Sequence, residues 1–461
     1  MAGIRESWTR YLLARLLQWL RDQGRSSLVV AWLTGQPEGA PTRLWTRLRG
    51  RWVRLSEKLR LDRLLSGSIF LHPALFAGAA VALAPLLPTM GVLALCAGAL
   101  GAFALRMGAA GPAAGVHTPL HRYVVLLAGI YLLSALTSVT PGASLMPGLL
   151  TAVFMLLYTV LPGCLSRQGI RRLLNLMALA GAAVALWGFY QALHPDQFRS
   201  VWTDTDMFST LNFRVYSTLE NPNVLGEYFL LALPLSAALT LGAETWRERL
   251  LGGGSCLMMA VCLVLTYSRG CYLGLILAAA VFLVLLDARL LLVGLAALLL
   301  SPLVLPEAVL QRLSSIGDLA DTSTAYRFYI WRGTLSMLRD FWLCGLGPGS
   351  DAFSRVYNAY GYDFLAPHAH NLFLQLICDG GIMGLVTFLI LCLGAFRMLF
   401  TALRRERDRL LRPVEIGCIA ALCGFLAESM TDYTFYNYRV LLLFFGVLGI
   451  GGAAARGGKR P

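Results

Sequence analysis

Apolar residues come in continuous runs of about 20, the length a helix needs to cross a bilayer, and not in the alternating register of a barrel strand. Twelve runs are expected to span, at 68–88, 89–105, 122–140, 144–162, 171–193, 223–243, 250–267, 270–286, 289–305, 371–396, 413–431 and 439–455. Asp287 and Arg289 interrupt the stretch near 270–305, where two short spans and one broken span read alike. The pattern predicts an all-α, polytopic membrane protein.

Two connections are too long to be turns, 194–222 and 306–370. The second is aromatic and predicts an ordered helical lid. One amphipathic helix would run through Tyr326, Ile330, Thr334, Met337 and Phe341, capped by Ser323 or Thr324, and a shorter one would follow near Asp351–Tyr360 after the turn GLGPGS at 345–350.

Composition agrees: 57% of the 461 residues are hydrophobic and 14% charged, with a mean hydropathy of +0.65. Soluble domains carry about a quarter charged residues. The net charge of +14 changes the picture only in its placement. With both termini inside, thirty Lys and Arg fall in inner segments and nine in outer ones. Topogenesis thus explains the basic excess, and nucleic acid is not expected as a partner. The same map sets His370 on the extracytoplasmic face of a multi-pass protein of the cytoplasmic membrane.

Residues 1–66 hold thirteen Lys or Arg among Trp8, Leu12, Leu16, Trp19, Trp45 and Trp52, as a cytoplasmic amphipathic arm on anionic membrane lipids would. No cleavable signal peptide is expected. The membrane domain would cover 67–455 and a basic tail 456–461. The ten cysteines form no CxxC pair and read as small buried hydrophobes.

With this topology three helices start outside behind polar signatures: Glu220-Asn221-Pro222-Asn223, Tyr267-Ser268-Arg269-Gly270 and His368-Ala369-His370-Asn371. Helix N-termini carry partial positive charge, and Arg214 and Arg269 add full charges, so together they suit a diphosphate. Plainer roles stand beside this one. Asn223 and Asn371 are expected as N-caps; Arg269 can snorkel; Arg327, near Trp331, can form a surface ion pair or cation–π contact. His368 and His370 could chelate a metal but lack a third ligand nearby in sequence, so no metal is expected. Imidazole, with an ordinary pKa of about 6.5, suits a general base better. Asp379 would lie about 13 Å deeper than His370, too far to orient it. Gly380, Gly381 and Gly384 read as a helix-packing face, the GLGPGS loop as a turn rather than a phosphate cradle, and Glu428 and Asp432 as acids satisfied by a neighbour such as Arg439.

The ordered set RVYSTLENPNVLGEY at 214–228, YSRG at 267–270, YRFYIWRGTL at 326–335, GLGPGSDAF at 345–353 and HAHNLFLQLICDGGIMG at 368–384 resembles the O-antigen ligase and polymerase superfamily. The resemblance spans about residues 120–450. It implies a GT-C-like glycosyltransferase that takes its glycan from a polyprenyl-diphosphate carrier and passes it to a glycan or glycolipid acceptor outside the membrane, with no metal or other cofactor. By motif position, Arg269, Arg327 and His370 would be the catalytic set, with Arg214, His368, Asn371 and Asn223 contacting the diphosphate or substrate. Asp379 stands where a glutamate is frequent in the family. A bicarbonate or other small-solute transporter, or a non-catalytic envelope assembly factor, are the competing readings. A transporter predicts broken helices and charges near the bilayer midplane, whereas the polar motifs here lie at the outer ends of runs.

Overall fold

A computed structural model describes residues 50–58, 72–110, 118–198, 213–316, 322–362 and 366–457. The basic arm up to residue 49, parts of both long connections and the last four residues of the tail lie outside them. The chain divides into two compact units. One comprises 1–67 and 105–112 and includes a helix at residues 50–58. The other, 68–104 and 113–461, carries every feature discussed below.

The described residues are helical throughout, without a strand. In order they form α1 (Pro73–Leu83), α2 (Thr89–Ala110), α3 (His121–Leu136), α4 (Pro141–Leu156), α5 (Arg167–Leu193), α6 (Pro222–Gly242), α7 (Trp246–Val264), α8 (Arg269–Leu286), α9 (Leu290–Leu300), α10 (Glu307–Ser314), α11 (Thr322–Phe341), α12 (Ser350–Ala359), α13 (Leu372–Leu403), α14 (Leu411–Glu428) and α15 (Tyr438–Ala455). Every expected run contains helix, but among the described residues seven segments are long and apolar enough to cross a membrane by themselves. They are Thr89–Arg106, Pro141–Cys164, α5, α6, α8, α13 and α15. The difference from twelve has two causes. α1 and α3 are short, at 11 and 16 residues. α7 carries Arg247, Glu248 and Arg249, and α14 carries Arg412, Glu415 and Glu428. The interrupted stretch resolves as Leu290–Leu303 and Glu307–Ser314, bent by 115° at their junction.

α14 is a central strut, packed by α6, α8 and α15. It meets α8 at glycines on both sides: a Cβ on Gly274 would lie 2.7 Å from the Gly424 carbonyl oxygen, and one on Gly424 would lie 2.6 Å from that of Gly274. Two antiparallel helices touching there also bring together the residue four positions earlier on α8 and the residue four positions later on α14, one turn along. Gly270, at the start of α8, accordingly abuts Glu428 at the end of α14.

The lid has its own core. Ile330, Thr334 and Met337 of α11 are fully buried, with Phe353 and Tyr357 of α12. The amphipathic stripe expected from spacing is thus the buried one. Neither proposed cap holds: α11 begins at Thr322, and the Ser323 hydroxyl accepts a bond from Arg327 Nη1 at 2.6 Å.

α13 corrects a second expectation. Gly380 and Gly381 break the helix, with Gly381 at φ 66° and ψ −172°, a conformation closed to residues with a side chain, while Gly380 also packs closely on α3, where a Cβ would lie 2.9 Å from Ile130 Cγ2. The freed backbone groups bond to the end of α11 and the GLGPGS loop. Leu346 N donates to the Cys378 carbonyl at 2.5 Å, and Ile382 N to that of Trp342 at 2.8 Å. Beside the break, the Asp379 carboxylate accepts bonds from Gln375 Nε2 (2.7 Å), Tyr433 OH (3.1 Å) and Tyr131 OH (3.2 Å). It fastens α3 and the α14–α15 connection to the break.

Candidate active site

The three helix starts singled out from sequence, those of α6, α8 and α13, converge on residues 428–433. Backbone strain marks the place. Among the described residues, the non-glycine residues with positive φ are Ser217, Glu220, Tyr267 and His370, each just ahead of one of these helices. Such positions cost of order 1 kcal/mol or more and persist only where surrounding contacts hold them.

His370 sits at φ 44°. Its N–H donates to His368 Nδ1 (3.3 Å), and its carbonyl accepts from Trp331 Nε1 (3.1 Å). Gln375 Oε1 holds the intervening Ala369 N–H at 2.8 Å. Asn371 caps α13 as expected, accepting from Leu374 N at 3.0 Å, and its amide donates to the Met430 carbonyl at 2.7 Å. This loop is therefore pinned on both sides, and the imidazole it presents is 21% exposed.

His370 Nδ1 lies 3.0 Å from Asp432 Oδ1. Burial alone would raise the Asp432 carboxyl, but the hydrogen bond and charge of His370, then the charges of Arg327 and His368, hold it well below the usual carboxylate range. An ionised carboxylate can only accept, so His370 Nδ1 is the donor. In the neutral ring Nε2 then carries the lone pair. The other Asp432 oxygen accepts from Asn223 Nδ2 (2.9 Å) and lies 3.8 Å from Arg327 Nη2.

Asn223 departs from its expected role. Asn221 caps α6, accepting from Asn223 N at 2.8 Å. The Asn223 side chain instead bridges Asp432 to Arg214, whose Nη2 donates to its Oδ1 at 2.8 Å while Arg214 Nε donates to the Thr266 carbonyl at 2.8 Å. Arg327 donates from Nε to the Thr431 carbonyl at 2.7 Å, a buttress rather than the surface pairing considered from sequence.

Arg269 donates from Nη1 to the carbonyl (3.1 Å) and hydroxyl (3.0 Å) of Ser315. The Ser315 hydroxyl in turn donates to the Arg312 carbonyl at 3.0 Å. Burial, then the charges of Arg312 and Arg327, push the Arg214 guanidinium down to about 9, still cationic at neutral pH. Positive charge is thus crowded enough for one arginine to weaken another. Arg312, counted only for topology from sequence, belongs to this cluster.

His368 is buried and, with burial the main cause and the charge of His370 next, is pushed down to about 3. Its Nδ1 accepts the His370 N–H and so braces the loop that presents His370. Asp432 is the residue of this cluster whose partner the sequence did not reveal. It was expected to pair with Arg439, which instead donates to the Thr218 carbonyl (3.1 Å) and lies 3.7 Å from Glu220. The available signal was an acid in the turn TDYTFYNY, four residues beyond Glu428, with no basic residue before Arg439. The third ligand that the histidine pair lacked in sequence also comes from Asp432. One ligand atom each of His368, His370 and Asp432 lie within 4.8 Å of one another, as do those of Glu227, Glu428 and Asp432.

Fold and site together define a multi-pass, all-helical membrane protein that gathers arginines and an aspartate-oriented histidine where three helices begin. A family model described as O-Antigen ligase matches residues 254–389, so this stretch is similar to that family. The match takes in Arg269, Arg312, Arg327 and His370. Asn223, Arg214 and Asp432 lie beyond it and are joined to it by the contacts above. No curated protein matches the chain.

Proposed function

We propose that the protein transfers a glycan from a polyprenyl-diphosphate carrier to a hydroxyl of an acceptor glycan or glycolipid, at the extracytoplasmic face of the cytoplasmic membrane. The observation that carries this reading is the His370–Asp432 pair set beside Arg327 and the Arg214–Asn223 bridge. Displacing a diphosphate from an anomeric carbon requires a base for the incoming hydroxyl and stabilisation of the negative charge that develops on the leaving group. His370 Nε2 takes the acceptor proton, and Asp432 orients the ring and stabilises the imidazolium that results, the division of labour of an aspartate-held histidine in other transferases and hydrolases. Arg327, Arg214, Arg269 and Arg312, with the starts of α6, α8 and α13, receive the diphosphate. Attack opposite the leaving group inverts the anomeric centre, and no metal ion enters the step.

A transporter shares broken helices with this chain, at α13 and at the bend after α9. The break in α13 is closed. Its freed backbone groups are bonded by residues 342–346 instead of lining an open path, which favours transfer over transport.

The test is reconstitution with a panel of polyprenyl-diphosphate glycans and acceptors, comparing wild type with His370→Ala. Formation of a new glycosidic bond with inverted configuration by NMR, lost in the variant, is expected. Retention of configuration would remove the single displacement, and full activity of His370→Ala would remove the base.

A further inference from the structure

Asp379 stands about two turns into α13 and hydrogen-bonds to neither member of the His370–Asp432 pair. Its carboxylate nevertheless reaches each of them through one intermediate. Gln375 lies one turn earlier on the same face of α13; its Nε2 donates to Asp379 Oδ1 at 2.7 Å, and its Oε1 accepts the Ala369 N–H at 2.8 Å. A primary amide has one end that only donates and one that only accepts. With the donating end held by Asp379, the accepting end faces Ala369, the residue between His368 and His370. His370 sits at a strained φ of 44°, which persists only while contacts of this kind hold the loop.

The second path runs through Tyr433. Its hydroxyl donates to Asp379 Oδ2 at 3.1 Å, and its backbone N–H donates at 2.8 Å to Asp432 Oδ1, the oxygen that faces His370 Nδ1. Tyr131 of α3 donates to the same Asp379 oxygen at 3.2 Å, and the Ser134 hydroxyl donates to the Asp379 carbonyl, so side chain and backbone are both fixed. Asp379 is 1% exposed and Gln375 2%, which leaves no solvent to replace a lost partner.

We infer that Asp379 is a positioning residue for the transfer step: through Gln375 it sets the loop that presents His370, and through Tyr433 it sets the carboxylate of Asp432. One buried acid thus fixes the two halves of the pair relative to each other. The inference rests on the transfer reading, so one of its two measurements needs no turnover.

Asp379→Asn keeps the shape, but its Nδ2 cannot accept, and one path loses its anchor whichever way the amide turns. In the full-length protein reconstituted for transfer, kcat is expected to fall about 10- to 100-fold, as a displacement of about 1 Å at a reacting group causes, with KM for donor and acceptor within about twofold of wild type. Gln375→Met and Tyr433→Phe each cut one path and are expected to lose less. The second measurement is amide hydrogen exchange by mass spectrometry: the peptide carrying Ala369 and His370 exchanges faster in Asp379→Asn, with global thermal unfolding within a few degrees of wild type. If Asp379→Asn does not fold, Gln375→Met takes its place in both measurements. Wild-type kcat or wild-type exchange in the variant overturns the inference, as does a loss carried by KM instead of kcat. If the wild-type protein transfers no glycan, the transfer reading fails and exchange alone decides: faster exchange keeps Asp379 as the anchor of the His370 loop, and unchanged exchange removes it.

Discussion

Asp432 accepts the Nδ1 hydrogen of His370 at 3.0 Å although 62 residues separate them, and its second oxygen is held by Asn223 from a third part of the chain. One carboxylate thus fixes the tautomer of the imidazole and links it to the arginine cluster.

Asp432→Asn removes the acceptor-only partner of Nδ1 while keeping its shape. Transfer is expected to fall roughly 1,000- to 10,000-fold with the protein still folded, because the ring is free to carry its proton on Nε2. Combining it with His370→Ala adds little to the single loss. Initial rates of glycosidic bond formation measure this; independent, multiplicative losses would separate the two residues.

Arg327→Lys keeps the charge but not the planar fork that bonds the Thr431 carbonyl and Ser323 together. A loss of about 10- to 100-fold in kcat/KM is expected, the equivalent of about 1.4–2.8 kcal/mol. Wild-type kinetics in this variant would reduce Arg327 to a point charge.

Gly381→Ala places a Cβ 2.1 Å from the Leu343 carbonyl oxygen at a positive φ. Destabilisation of about 3 kcal/mol or more is expected from strain and lost bonding between the lid and the break in α13. Gly142→Ala, on α4 with nothing within 4 Å, is the matched control and should unfold at or above the wild-type temperature. Thermal scans in detergent compare them.

His368 gives the stability a pH dependence of known sign. Its folded pKa is pushed down to about 3, below the ordinary value of about 6.5, so the unfolded chain binds more protons between these limits. Stability is full above about pH 6.5 and declines as pH falls toward 3, by about 2 kcal/mol between pH 6.5 and 5. The depressed Asp432 carboxyl contributes stability above its unfolded value near 3.9 and loses it at still lower pH. His368→Gln should flatten the decline between pH 6.5 and 5; an unchanged slope would assign it to other groups.

Much was written locally. Apolar run lengths determined the helical, membrane-embedded class, the spacing of Ile330, Thr334 and Met337 determined which face of the lid helix is buried, and the polar starts at Asn223, Arg269 and His370 marked where the candidate site gathers, because each depends on neighbours within a few residues. Tertiary structure alone decided the partners. Whether Asp432 serves Arg439 or His370, whether Asn223 caps a helix or bridges Arg214 to Asp432, and whether Gly381 packs a helix or breaks it are settled by contacts between segments far apart in the chain. A carboxylate, an amide and a glycine each satisfy either role locally. The close approach of α8 to α14 at Gly274 and Gly424, and the lid backbone that fills the break in α13, select one.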